Sequence, residues 1–179
     1  MSSKRSAFVL GVIAVLSTSA LFAFQSGGRG GGERAASTTL TVGEKEQIAL
    51  TYNTLKLGKN TLDRMKGSEQ MRAGWAARLP QLLEGTLKND VELKCGETAI
   101  PAGSHGVSFA MTAEGGWEFL LKDGEKETKL PLTAAASAVE YGFMNMNIVS
   151  TGADSIRFQF GYGMISASLD ATIAAPAEK

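Results

Sequence analysis

The stretch Ile165-Ser166-Ala167-Ser168-Leu169-Asp170-Ala171-Thr172-Ile173 decides the fold. Apolar side chains occupy every second position, and Ser166, Ser168, Asp170 and Thr172 fill the gaps. Successive side chains of a strand point to opposite faces, so this rhythm predicts a strand with one dry and one wet face.

The same period of two recurs through most of the chain. Ile48, Leu50 and Tyr52 alternate with Ala49, Thr51 and Asn53, and Thr39–Val42 pairs with them across a Gly43-Glu44 turn. Val107, Phe109 and Met111 share one face, as do Trp117, Phe119 and Leu121. Asp123-Gly124 is a hairpin signal because the pair accepts positive φ. Lys94–Thr98 reads as a turn around Gly96. Met144, Met146 and Ile148 form one strand face, with Asn145 and Asn147 opposite. Glu140–Val149, Ser155–Phe160 and Met164–Ile173 read as three further strands. Lys129–Leu132 is expected only as a short edge segment, because Pro131 has no amide to donate.

One segment, Lys59–Leu83, departs from the pattern. Asn60 caps a first turn over Thr61–Lys66. Ser68 is then a good N-cap for a helix over Glu69–Leu79, on which Met71, Trp75 and Leu79 share a face. Pro80 is expected to end that helix, because a residue before proline avoids helical geometry. About nine short strands, turns at regular spacing and one helical insertion predict an antiparallel β-sandwich, jelly-roll-like, over residues 38–175. Hydrophobic residues make up 44% of the chain, which suits one globular domain.

The first 37 residues read differently. Lys4 and Arg5 precede the apolar run Ala7–Leu16, and Thr18-Ser19-Ala20 offers small residues for cleavage. Residues 1–24 are thus expected to be a signal peptide, with a retained N-terminal anchor as the alternative. Residues 25–37, glycine-rich, read as a flexible linker. The protein is therefore expected to be exported, to a periplasmic or extracellular site, and to meet a membrane only if the leader is kept. Beyond position 37 the chain holds 14 basic and 17 acidic residues. That balance argues against nucleic acid as a partner.

The middle of the chain resembles an uncharacterised bacterial family, the domain-of-unknown-function family twenty-nine-eleven. The likeness is carried by Ile100-Pro101-Ala102-Gly103-Ser104-His105-Gly106-Val107, by Gly116-Trp117 opening a strand, by the Val42-Gly43 to Tyr52 hairpin and by Phe158-Gln159-Phe160-Gly161. The family's Trp-Arg-Thr-Gly-Ala-Asn stretch is replaced here by Trp75-Ala76-Ala77-Arg78-Leu79-Pro80. The resemblance implies an exported β-sandwich-like domain and no particular activity. In physical terms Pro101 fixes φ at a turn and Gly103 can supply positive φ.

No catalytic motif has a defensible spacing. His105 is the only histidine, and its neighbour Ser104 points to the other face of a strand, so a hydrolytic triad lacks its parts. One histidine and one cysteine, Cys95, could give at most two soft metal ligands, and no cofactor is called for. Cys95 reads as a buried small hydrophobe. Glu118, Glu140, Asp154 and Asp170 give no pairing that glycoside hydrolysis would need. Lys56, Lys59, Arg64, Lys66, Arg72 and Arg78 surround the helical segment and could attract an anionic surface. A ligand site would draw on Trp75, Arg78, His105 and Trp117, with Tyr162 as a further aromatic. The sequence thus points to a non-catalytic exported module for envelope glycan or a partner protein. A hydrolase of extracellular or envelope polymers is the alternative, and a purely structural envelope component a third reading.

Overall fold

A computed structural model describes residues 17–18, 34–56, 63–64, 67–112 and 114–174. Of the expected leader only residues 17–18 are described; most of the expected linker, Asn60 and most of the segment 61–66 expected as a turn, and the C-terminal 175–179 lie outside the described residues. The strands are β1 (Ser17–Thr18), β2 (Arg34–Val42), β3 (Glu46–Thr54), β4 (Gly85–Asn89), β5 (Leu93–Cys95), β6 (Thr98–Ile100), β7 (Gly103–Met111), β8 (Trp117–Asp123), β9 (Lys126–Gly152) and β10 (Ser155–Ile173). The helix α1 (Glu69–Leu82) lies between β3 and β4. All strands belong to one antiparallel sheet of order β1-β2-β3-β4-β7-β8-β9-β10-β5-β6, in which β1 contributes two residues against Leu40 and Thr39. The other nine strands and the short helix agree with the expected number and type of elements, but β9 and β10 each join two segments expected to be separate, and the β5–β6 hairpin occupies Lys94–Thr98, expected as a turn. The sheet, however, is a single open one, and stacked jelly-roll layers do not follow from its order. Because β2 begins at Arg34, residues 34–37 belong to a strand rather than to the linker.

This order cannot lie flat. Asn89 ends β4 and Leu93 opens β5, a reach of about 14 Å for four residue steps. Yet β5 pairs with the end of β10, five strand spacings or about 24 Å away in a flat sheet. The sheet must curl, and β9 makes the bend. Its first part, Lys126–Leu132, pairs with β8, while β10 takes over from Thr133. Pro131 is therefore tolerated inside a long strand, because its stretch is paired on one side only. Across the curl the Tyr52 hydroxyl donates to Met146 O at 3.1 Å and accepts from Met146 N at 2.9 Å. Leu55 O accepts from Met144 N at 3.0 Å alongside it.

Inside the curl lies one apolar cluster built from the alternating faces. Leu40, Ile48, Leu50, Leu87, Phe109, Phe119, Met144, Met146, Ile148, Phe158 and Phe160 are all buried there. Phe109 and Phe119 are cross-strand partners. Phe109 stacks on Trp117 at 5.0 Å, and Phe119 stacks on Phe158 at 5.7 Å. Such offset pairs add to the energy of area burial. The β8–β9 hairpin pairs Asp123 with Lys126, leaving Gly124 and Glu125 as the loop. Gly124 has φ +61°, which the first position of a type II′ turn requires.

The helix extends past its expected end. Ser68 caps it as the sequence suggests, its Oγ accepting from Met71 N at 3.3 Å. Pro80 removes only its own N–H, the partner Ala76 O would have had, and the helix runs on to Leu82, with Leu83 N donating to Leu79 O at 3.0 Å. The Ser108 hydroxyl on β7 donates to Pro80 O at 2.5 Å. This bond and the buried Leu79 and Leu83 fasten the helix. The expected stripe is buried only at its C-terminal end, since Met71 is 40% exposed. Among the described residues no helix is long and apolar enough to cross a membrane.

Candidate functional site

None of the four ligand candidates named from the sequence lines any of the hollows described below. Trp117 is a core residue, 4% exposed and tilted against Tyr162 at 5.7 Å, and Tyr162 is itself buried. Neither can offer the exposed aromatic surface expected of it. Trp75 is partly buried against the core, and Arg78, three residues on, is exposed. Within the basic group around the helix, Arg72 Nη1 donates to Gly67 O at 3.4 Å, and Lys59 and Lys66 lie outside the described residues.

His105 is a buried clip. It stands on the inner face of β7, opposite Leu87. Its Nε2 donates to Pro101 O at 2.8 Å, because a carbonyl can only accept. Its Nδ1 meets Asp123 Oδ1 at 2.5 Å. Asn89 Nδ2 donates to the same Pro101 O at 2.8 Å and to Val91 O at 2.9 Å. The Pro-Ala-Gly run is thus pinned from two strands, and its Gly103 has φ +155°, a region open in practice to glycine alone. Both ring nitrogens are engaged, Nε2 with this turn and Nδ1 with Asp123 at the end of β8. Cys95 is buried as expected, and desolvation pushes its thiol up to about 11.

Hollows open on the outer surface of the described residues. One, of about 450 Å³, is lined by Lys94, Thr151, Ser155, Arg157, Asp170 and Thr172. Within it Arg157 Nε donates to Asp170 Oδ1 at 2.6 Å and Nη2 to Oδ2 at 3.2 Å. Those bonds hold the Asp170 carboxyl below its ordinary value and raise the guanidinium. A second, also about 450 Å³, lies between α1 and the outer face of β7–β9, with Glu114, Glu118, Glu127 and Lys129 on its walls. Lys129 Nζ stands 4.0 Å from Glu118 Oε2.

The third hollow, about 140 Å³, sits on the outer face of the β9–β10 hairpin and is lined by Tyr141, Asn145, Asn147, Gln159, Gly161 and Ser166. Alternation builds it. Met144, Met146 and Ile148 turn inward, so Asn145 and Asn147 turn outward; Phe158 and Phe160 turn inward, so Gln159 turns outward. The register puts Asn147 opposite Gln159 and Asn145 opposite Gly161. Register shifts on either side of Gly163, whose φ is +57°, then swing Tyr141 over Gly161. A Cβ at Gly161 would come within 2.6–2.7 Å of three atoms of the Tyr141 ring, so glycine alone leaves room for it.

This surface combines amide donors and acceptors, a hydroxyl and an aromatic ring, with no charged group in its lining. It can hydrogen-bond an uncharged ligand; it holds no nucleophile paired with a base. Sequence reasoning found Asn145 and Asn147 only as the back of a methionine face. It missed Tyr141 and Gln159, because the shifted register that unites them leaves only a faint mark, the Gly161-Tyr162-Gly163 spacing. Compared with family models, curated proteins and solved structures, the chain matches none.

Proposed function

We propose that this chain is an exported, non-catalytic binding module whose ligand face is the outer surface of the β9–β10 hairpin. One observation carries the reading: Asn145, Asn147 and Gln159 gather around a glycine-floored hollow on the wet side of a strand pair whose other side is packed core. Further support comes from His105, whose two nitrogens are engaged with Pro101 O and with the Asp123 carboxylate. Export belongs to the proposal through the leader at residues 1–24. So does sandwich-like layering, in which β2 and β3 face β9 across the curl through Tyr52 and Met146. Membership of the domain-of-unknown-function family that the Pro-Ala-Gly run resembles is likewise part of the proposal and assigns no site.

The test is retention of the full chain on insoluble envelope polysaccharide. The combined N145A, N147A and Q159A variant should lose at least about 10-fold in retention, with an unchanged circular dichroism spectrum. Equal retention by this variant would remove the proposed face. A hydrolase remains the second reading, favoured by Glu114, Glu118 and Glu127 on one groove. Release of soluble sugars by the wild-type chain, lost in E118Q, would replace the binding reading with that one.

A further inference from the structure

We infer that the Tyr141 hollow is a subsite for one uncharged sugar ring of a neutral glycan. This inference rests on the binding-module reading and narrows its ligand.

Charge is the first argument. The lining residues are Tyr, Asn, Asn, Gln, Gly and Ser, together with buried Phe160. The charged residue two positions before Gln159 on the same strand face is Arg157, and Asp170 neutralises it through two hydrogen bonds. An anionic polymer would find no counter-charge here, and a cationic one no carboxylate. Hydroxyl-rich neutral chains need neither.

Hydrogen-bond chemistry is the second argument. Each sugar hydroxyl both donates and accepts. A side-chain amide matches that with two N–H donors and a carbonyl acceptor. Asn145 and Gln159 are exposed, and Asn147 and Ser166 half-exposed, so ligand hydroxyls can reach them. Carboxylates and ammonium groups offer only one half of that exchange.

The Tyr141 ring supplies the apolar platform. Three of its atoms lie equally close to the position where a Gly161 Cβ would stand, so the ring is laid over the strand rather than standing up from it. A ring held in place loses little freedom when a ligand packs on it. The volume completes the case. Drug-sized ligands occupy pockets of roughly 300–1,000 Å³, whereas this hollow of about 140 Å³ takes one ring and leaves the rest of the chain in solvent. Binding by a single such site should be weak, with a Kd on the order of 1 mM, and strong retention on a polymer should come from many repeats.

The experiment titrates the isotopically labelled full chain with cellohexaose, maltohexaose and chitohexaose, and in parallel with a heparin-derived hexasaccharide. At least one neutral sugar should shift the backbone amides of Tyr141, Asn145, Asn147, Gln159 and Gly161 as a group. No carboxylate, amine or imidazole lines the hollow, so the affinity should be the same at pH 5.5 and pH 7.5 (roughly the span over which imidazole titrates). Y141A should weaken the affinity by about 10-fold, and Y141F should stay within about 2-fold of wild type. N145A, at an exposed position, should also weaken binding and guards against a folding defect in Y141A. Shifts from the heparin fragment alone, or neutral-sugar shifts that map elsewhere, overturn the inference. So does the absence of any shift at about 20 mM neutral sugar, well above the expected Kd. If retention on envelope polysaccharide still depends on the amides in that case, the ligand class falls and the binding module stands; if it does not, both fall.

Discussion

His105 shows how one side chain can hold a turn that sequence alone presents as a candidate site. Its Nε2 and the Asn89 amide share the carbonyl of Pro101. Removing either leaves the other bond, whereas removing both leaves a carbonyl to find water. H105A should lower the unfolding free energy by about 2 kcal/mol, and H105A with N89A should depart from additivity by more than about 0.5 kcal/mol. Urea titration of the four proteins measures both; strict additivity would mean the two donors act independently. Cys95 makes a pH prediction. Its folded thiol is raised to about 11, so above pH 9 the unfolded chain binds fewer protons than the folded one. Stability must then fall as pH rises between about 9 and 11, with a slope of at most about 1.4 kcal/mol per unit from this group. C95A should flatten that part of the profile between pH 9 and 10, before the buried Tyr52 and Tyr162 phenols, also raised, add the same sign. At this scale burial was legible: the faces of Met144, Met146 and Ile148 and the fate of Cys95 followed from alternation and residue type. Which polar residues meet was not, because Tyr141 reaches Gly161 only through a register shift.

Among the elements, β3 and β9 meet without a ladder over most of their contact, and one hydroxyl takes the place of a paired strand. Tyr52 both donates to and accepts from the backbone of Met146. Phenylalanine there would keep the ring and leave a buried N–H and C=O without a partner. Y52F should therefore destabilise the fold by about 1–3 kcal/mol, and the Met146 amide should exchange faster by a larger factor than the amide of Phe109. Amide exchange followed by NMR checks this, and unchanged protection at Met146 would show that the hydroxyl does not seal the seam. Turn chemistry was legible at this scale, as Gly43, Gly96 and Gly124 show, each with positive φ at the head of a hairpin loop. Continuity was not. The 27 residues of β9 read as separate short segments, because Pro131 and an alanine-rich run interrupt the rhythm although pairing passes from β8 to β10 across them. Helix α1 ran past Pro80 for a similar reason: Ser108 and the buried Leu79 and Leu83 outweigh a local preference.

For the whole molecule, the strand order is the part that alternation cannot encode. Each strand announces which face it buries, and none announces its neighbour. The β5–β6 hairpin leaves β4, joins the end of β10 and returns to pair β7 with β4, so distant parts of the chain must meet before the curl closes. Such non-local pairing should concentrate stability where both neighbours are in place and leave it low where the ladder is broken. The ladder breaks between Gly163 and Ile165, where the four residues Ser137–Glu140 of β9 bulge opposite the single residue Met164 of β10, and Val139 and Met164 stand 61% and 51% exposed there. Hydrogen exchange of the full chain should divide accordingly. Amides of Phe109, Phe119 and Phe158 should open only with global unfolding, and those of Ala138, Val139 and Glu140 through local fluctuations at least about 100-fold more often. Tyr141 lies at the rim of that loose segment, so the ligand face and the least stable stretch of the sheet adjoin. A neutral sugar seated on the ring should therefore slow exchange at residues 138–141 while leaving Phe119 unchanged. Uniform protection along β9 without ligand would contradict this division, and with it the idea that the break in the ladder is what brings the Tyr141 ring over Gly161.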